Sequence, residues 1–417
     1  MVKKIKQLFY FPIAHYFRFF AQIKLARWKP KIIVITGSSG KTTLLHLIES
    51  QIGKKAKYSH QANSAYGIPF NILGLKREKL TLGEWFFLFL FAPLQIFKTI
   101  PAEKIYVVEA DCDRPGEGKF LAELLNPEIT LWTNSDLTHS CNFDFLAKNN
   151  VFPTVEEAIA YEFGFFPQYT KRMTIINGDD LLIQGQLHRI KKQVELVSKK
   201  GLKLFKVNEN STDFVIEDKK YSIDFVVPRE IFYSIQMTKL LMKALKLPFD
   251  ASFKKLTLPP GRNSILKGIK NTNIIDSSYN TTPEGVRAVL KMFDEYPSKN
   301  KWVVLGDMIE LGNEEKKEHE KIAPILNSMD LEKIILIGPR VSKYTYPKLQ
   351  KPAMHFLMPK EGLDYILQNI NGGETILFKG ARFLEGIIER LLQNKKDINN
   401  LVRREKVWEK RREKFGL

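Results

Sequence analysis

The octapeptide Thr36-Gly-Ser-Ser-Gly-Lys-Thr-Thr43 narrows the possible folds of this chain more than any other feature. It joins the apolar run Lys31-Ile-Ile-Val-Ile-Thr36 to a segment of helical spacing. Glycines let backbone N–H groups curl around phosphate oxygens, and the N-terminus of the following helix adds positive potential. In such a loop Gly37, Ser38, Ser39, Gly40 and Thr43 cradle the phosphates of a nucleotide. Lys41 reaches the outer phosphates, and the Thr42 hydroxyl ligates Mg²⁺. The full pattern asks for glycine at position 35, where isoleucine stands, so this is a shortened variant.

A loop of this kind needs an α/β framework, and the rest of the chain supplies one. Lys104-Ile-Tyr-Val-Val-Glu109, Ile129-Thr-Leu-Trp-Thr133 and Met173-Thr-Ile-Ile176 read as strands buried on both faces of a parallel sheet. Between 195 and 227 shorter alternating runs predict a small antiparallel annex, followed by a helix near 230–246. The Pro-rich stretch 247–262 reads as an interdomain connection. Beyond it, Asn273–Asp276, Trp302–Leu305, Lys333–Ile337 and Thr375–Phe378 predict strands of a second α/β layer. The expected segments are 1–29, basic and aromatic; 30–248, holding the loop; 249–395, the second layer; and 396–417, a basic helical tail.

Lysine and arginine exceed aspartate and glutamate by 19, a surface that draws in anions. No nucleic-acid recognition motif accompanies the charge, so no nucleic-acid partner is expected. Two cysteines, Cys112 and Cys141, without CxxC spacing fit a reducing, cytoplasmic setting. The aromatic run Leu8–Phe20, bordered by Lys3, Lys4, Lys6, Arg18, Lys24, Arg27 and Lys29, is too short to span a membrane. Two readings stay open for it: a helix in a membrane interface at the inner face, or a helix packed on the protein's own body. The apolar stretch Trp85–Phe97 is likewise core or a second membrane-facing patch.

Two further residues stand where ligands gather in open α/β sheets. Glu109 ends a predicted strand and can hold Mg²⁺ opposite the phosphates; His139 follows another and can ligate a metal. Alone, each also fits a helix cap or a structural loop residue. Together with Asn63-Ser-Ala-Tyr-Gly-Ile-Pro69 and Asn177-Gly-Asp-Asp180 they resemble, in order, the motifs of the Mur ligases. Pro260-Gly-Arg262, Asp276-Ser-Ser-Tyr-Asn-Thr-Thr-Pro283, Leu305-Gly-Asp-Met-Ile-Glu-Leu-Gly312 and Lys379-Gly-Ala-Arg382 extend the resemblance over about residues 30 to 392.

The resemblance implies a P-loop central domain with a mostly parallel sheet plus a Rossmann-like C-terminal α/β domain. It implies an ATP-dependent ligase that makes an acyl phosphate and lets an amine attack it, with ATP and Mg²⁺ as cofactors. Lys41, Glu109 and His139 carry catalysis on this reading. Arg262, Asp276 and Asn280 join the loop in gripping ATP, Asn63, Lys379 and Arg382 meet substrate, and Thr42, Glu109, His139 and Glu162 hold metal. The C-terminal motifs point to the branch that adds D-alanyl-D-alanine to UDP-N-acetylmuramoyl-tripeptide.

The sequence departs from the family pattern in three places. About 35 residues precede the loop, where murein ligases place a UDP-sugar-binding domain, so a lipid-linked peptide precursor is expected beside a small-molecule one. Glu162 aligns where many members carry a carbamylated lysine, and its carboxylate can replace the carbamate. Pro228–Gln236 lacks the usual His-Asn pair, so adenine contacts are expected to differ. The alternatives are a related amide ligase, acting on a poly-amino acid, folate-like acid or lipid-linked unit, and a non-catalytic ATP-binding protein at the membrane.

Overall fold

The structure, a computed structural model, describes residues 9–77 and 81–417. The basic start Lys3, Lys4 and Lys6 lies outside the described residues. The chain divides into two compact units. The first runs through Ser135 and adds Phe145–Ser198 and Tyr233–Phe249; the second gathers Asp136–Asp144, Lys199–Phe232 and Asp250–Leu417.

In the first unit six strands make a wholly parallel sheet. They are β1 (Lys31–Thr36), β2 (Ala56–Tyr58), β3 (Ile105–Glu109), β4 (Ile129–Trp132), β5 (Met173–Asn177) and β6 (Gln193–Val197). Their order is β2-β3-β1-β4-β5-β6. β1 lies between β3 and β4 with Ile33, Val34 and Ile35 wholly buried, which is why its run carries no polar alternation. The sheet order reverses around β1, so ligands are expected at its carboxyl end.

The N-terminal residues form α1 (Tyr10–Trp28), and α2 (Lys41–Ile52) follows the phosphate loop. Next come α3 (Gly67–Leu73), α4 (Leu82–Leu94), α5 (Glu117–Leu125) and α6 (Val155–Phe163). Of the two readings of the N-terminus, packing on the protein's own body describes α1. Ala14, Phe17, Ala21, Leu25 and Trp28 form a buried stripe at helical spacing. Phe17 meets Phe70 of α3 at 4.8 Å and Phe89 of α4 at 5.1 Å between ring centroids. Lys29 turns left-handed (φ 52°) and Pro30 ends the helix. Among the described residues no helix is long and apolar enough to cross a membrane.

The annex is shorter than expected. Residues 195–197 belong to β6 of the parallel sheet, and the antiparallel part is β7 (Leu202–Val207), β8 (Thr212–Ile216) and β9 (Lys219–Ile223). This annex belongs to the second unit rather than to the residues around the loop. The helix expected near 230–246 is α7 (Ile231–Leu245).

The second unit's main sheet contains β10 (Ser264–Lys267), β11 (Asn273–Ser277), β12 (Lys301–Gly306), β13 (Lys333–Ile337), β14 (Met354–Phe356) and β15 (Thr375–Lys379). The order is β10-β11-β15-β12-β13-β14, parallel except for the edge pair β10–β11. Ile274, Trp302, Val304, Ile335 and Phe378 centre its core. The fold is the expected α/β class.

Phe17 is wholly buried and Phe19 is 56% exposed on the same helix. Phe17→Ala is expected to destabilise the chain by about 3–5 kcal/mol, and Phe19→Ala by less than about 0.5 kcal/mol. Urea midpoints of the two variants check this; equal shifts would contradict the packing of α1.

Candidate functional site

The phosphate loop is pinned to the residues that follow β4. Ser38 N donates to the Asn134 carbonyl at 3.2 Å and Ser39 N to Asn134 Oδ1 at 2.9 Å. Thr133 Oγ1 donates to the Ser39 carbonyl at 2.7 Å. Gly37 adopts φ 126°, and a Cβ there would stand 2.3 Å from Thr133 Oγ1, so only glycine fits. Gly40 opens α2 in the left-handed region (φ 77°), which turns the chain out of the loop.

Lys41 begins α2 with 6% of its surface exposed. Its Nζ lies 2.9 Å from Asp111 Oδ2 and donates to the Gly37 carbonyl. Burial alone pushes this ammonium down, yet Asp111 and Glu109 outweigh it and hold the group above its ordinary value. Thr42 Oγ1 donates to Glu109 Oε2 at 2.8 Å. Parallel pairing of β1 with β3 sets Ile35 opposite Glu109, and Glu109 N donates to Ser59 Oγ, which fixes where the carboxylate begins. The sequence pointed to Lys41, Thr42 and Glu109 but not to Asp111. The available signal was its position two residues beyond Glu109.

Asn63 is half-buried, and its carbonyl accepts from Asp111 N at 2.8 Å, which ties the Asn63–Pro69 segment to the lysine's partner. Glu117 has no exposed surface. It accepts from Ala65 N at 2.7 Å, Tyr10 OH at 3.0 Å and Asp113 N at 3.1 Å. Burial and the neighbouring Asp113 push it up to about 7. Sequence reasoning also missed this acid, whose partners lie as far as 107 positions away.

Glu162 sits on α6 with its two oxygens accepting from Gly116 N at 2.8 Å and Gly118 N at 2.9 Å, at the start of α5. Burial nonetheless raises it, against those N–H groups. Within the Asn177–Asp180 element, Asp180 accepts from Ser135 N at 2.6 Å and caps Leu182 and Ile183. Asp179 accepts from Ser198 and Tyr233. Both acids serve there as clamps.

His139 is carried by the second unit. It adopts φ 49°, and its Nδ1 lies 2.6 Å from Glu310 Oε2. The motif loop 305–312 grips this segment again at Gly312, where a Cβ would stand 2.1 Å from Asp144 Oδ2. Asn313 N donates to Asp144 as well. Arg287 joins Asp136 at 3.1 Å to the buried Glu318 at 2.8 Å.

Lys379 and Arg382 have different partners. Arg382 Nε donates to Asp307 Oδ2 at 2.9 Å. Asp307, wholly buried, also accepts from Arg340 N and Val341 N. Lys379, 4% exposed, donates to the Asn280 carbonyl at 2.6 Å. Its neighbours are Arg262 and Asp276: burial first, then the Arg262 charge, lowers it to about 7 against the pull of Asp276. Asp276, the penultimate residue of β11, has no exposed surface, accepts from Ser278 N at 2.9 Å, and is raised by burial. Arg262 lies over the Tyr279 ring at 4.5 Å. Lys379 therefore groups with the residues expected to grip ATP.

Comparison with known proteins follows the same lines. The family model described as Mur ligase, glutamate ligase domain, matches residues 261–382. UDP-N-acetylmuramoyl-tripeptide–D-alanyl-D-alanine ligase of Buchnera aphidicola is 27% identical over 395 residues, covering 88% of this chain and 78% of that one. The Bacillus subtilis enzyme of the same name is 23% identical over 384 residues, covering 87% and 76%. Among solved structures, MurF from Acinetobacter baumannii matches with a TM-score of 0.72 at 18% identity, covering 90% of this chain and 79% of that one. MurF ligase from Thermotoga maritima in complex with ADP matches with a TM-score of 0.70 at 22% identity, covering 95% and 84%.

Lys379 yields a pH prediction. The folded chain releases its proton near pH 7, while the unfolded chain holds it to about 10.5. Between these values the unfolded state binds more protons, so stability rises with pH. Lys379→Met is expected to flatten that rise in urea midpoints measured across the window; an unchanged slope would contradict the assignment.

Proposed function

We propose, from the match of residues 261–382 to the Mur ligase, glutamate ligase domain and the similarity to ligases of that kind, that the chain is a Mur ligase joining D-alanyl-D-alanine to UDP-N-acetylmuramoyl-tripeptide at the expense of ATP. The observation that carries this reading is the phosphate loop with Lys41 and Thr42 facing Asp111 and Glu109, in a chain similar over 88% of its length to an enzyme of that name.

On this reading the tripeptide carboxylate attacks the γ-phosphorus of ATP. The bond to the β-phosphate oxygen breaks, and its electron pair leaves with ADP. The amine of the dipeptide then adds to the acyl carbon, loses its proton, and displaces inorganic phosphate. Backbone N–H groups of the loop orient the phosphates, and Lys41 exchanges the Gly37 carbonyl for the β- and γ-oxygens as charge spreads over them. Asp111 keeps that ammonium charged and aimed.

Mg²⁺ fits the donors present. Thr42 Oγ1 and Glu109 Oε2 are hard oxygens 2.8 Å apart, the donor type this ion takes, and they would hold it beside the phosphates. When bound, Mg²⁺ neutralises charge on the phosphate oxygens. His139 and Glu162 are proposed as further metal positions. What supports Glu162 is its buried carboxylate, fixed by two backbone N–H groups at the start of α5.

In the second unit Arg262, Asp276 and Asn280 are proposed as ATP contacts, with Lys379 beside them. Arg382 is proposed to take the dipeptide carboxylate, because Asp307 fixes its Nε and leaves the guanidinium's other edge for a bidentate pair. Asn63 is proposed on the tripeptide side. Peripheral contact with a membrane is a further proposal, supported by the exposed apolar side chains Phe86, Phe87, Leu90 and Phe91 of α4.

Phosphate release from Mg-ATP should require both the dipeptide and the UDP-linked tripeptide, and Lys41→Ala should lower it at least about 10²-fold. Release with either substrate alone, or none with both, would overturn the assignment. Glu162→Gln is expected to raise the Mg²⁺ concentration for half-maximal rate; unchanged activity and Mg²⁺ dependence would remove Glu162 from the metal site.

A further inference from the structure

We infer that the outward face of α4 docks the protein onto an anionic lipid bilayer. α4 carries one acid, Glu84 in its first turn, and its other described side chains are apolar. Its inner side packs Leu88 and Ala92 into the first unit and sets Phe89 against Tyr16 and Phe17 of α1. At 100° per residue the opposite arc presents Phe86, Phe87, Leu90, Phe91 and Leu94, between 41% and 65% exposed. Phe97, just beyond the helix, is 81% exposed. Phe87 and Phe91 stack in this exposed arc at 6.1 Å, with ring planes 15° apart.

Length and charge say what covers such a face. Thirteen residues make a helix about 20 Å long, well short of the ~30 Å hydrocarbon core, so α4 lies along the surface rather than through it. Both ends carry cations: exposed Lys76 and Arg77 precede the helix, and exposed Lys98 follows it. Lys98, Arg27 and Lys57 stand close enough to Lys24 to add to the effect of its burial in lowering that ammonium. An aromatic face bordered by Lys and Arg matches the acyl boundary and anionic headgroups of a bilayer. A protein partner fits less well. Protein interfaces carry about one hydrogen bond per 100–200 Å², and no side chain of this stripe can donate or accept one. The inference refines the peripheral contact proposed above by naming its surface and its lipid, and does not depend on the ligase reading.

The test is sedimentation of the full chain with vesicles of phosphatidylglycerol and phosphatidylethanolamine, against vesicles of phosphatidylcholine alone. Binding to the anionic vesicles is expected, with a blue shift in the emission of Trp85, which packs beside Phe89. Phe87→Glu with Phe91→Glu should cut the bound fraction at least tenfold, and Lys98→Glu several-fold, with urea midpoints and phosphate release unchanged. No sedimentation, or sedimentation indifferent to the double variant, would overturn the inference. So would self-association through α4, seen by light scattering, in a chain that ignores both vesicle types.

Discussion

Moving an ammonium out of water costs several kcal/mol unless a counter-charge meets it, and Lys41 is almost wholly out of water. That requirement organises the first unit's site. Asp111 must stand within 3 Å of Nζ, so the chain leaving β3 must curl beneath the loop. There its backbone N–H finds the carbonyl of Asn63, which ties a second motif to the same point. Glu109, two residues earlier, is thereby left to face Thr42. The loop can close over this arrangement only where Gly37 lets its backbone lie against Thr133 and Asn134. Three strand ends are thus positioned around one charge.

The second unit treats a buried lysine in the opposite way. Lys379 meets a carbonyl oxygen rather than a carboxylate at close range, and its cationic neighbour Arg262 outweighs Asp276. A lysine so placed sheds its charge near neutrality, whereas Lys41 is compelled to keep it. The two residues share a side chain, comparable burial and a position in a family motif. They differ in the sign of what surrounds them: two carboxylates hold the charge on Lys41, and burial beside the Arg262 guanidinium draws it off Lys379.

How legible each feature was in the sequence follows from how local its cause is. The phosphate loop is eight consecutive residues with its chemistry in plain order, and β1, β3, β4 and β5 are unbroken apolar runs because both sheet faces are covered. The α/β class followed from these. Less legible were features decided by distant partners. Glu117 is held by Tyr10, 107 positions away, and the segment carrying His139 is claimed by Glu310, 171 positions away. β6 reads as alternating polar and apolar because it is an edge strand, so its last residues looked like part of the annex. The aromatic N-terminus could not declare its partner, since a stripe that packs on α3 and α4 has the same spacing as one that packs on lipid.

Gly306 ends β12 and Gly380 follows β15 in direct backbone contact: a Cβ on Gly380 would stand 2.4 Å from Gly306 N, and one on Gly306 would stand 2.0 Å from the Ala381 carbonyl oxygen. Gly306 fills the space that a side chain on Gly380 would need, and Ala381 fills the space that one on Gly306 would need. A side chain at either position therefore requires backbone beyond the partner strand to move, so neither glycine has a single substitution that leaves both loops in place. The contact acts as a lock between the two loops, because neither can shift along its strand without entering the backbone of the other.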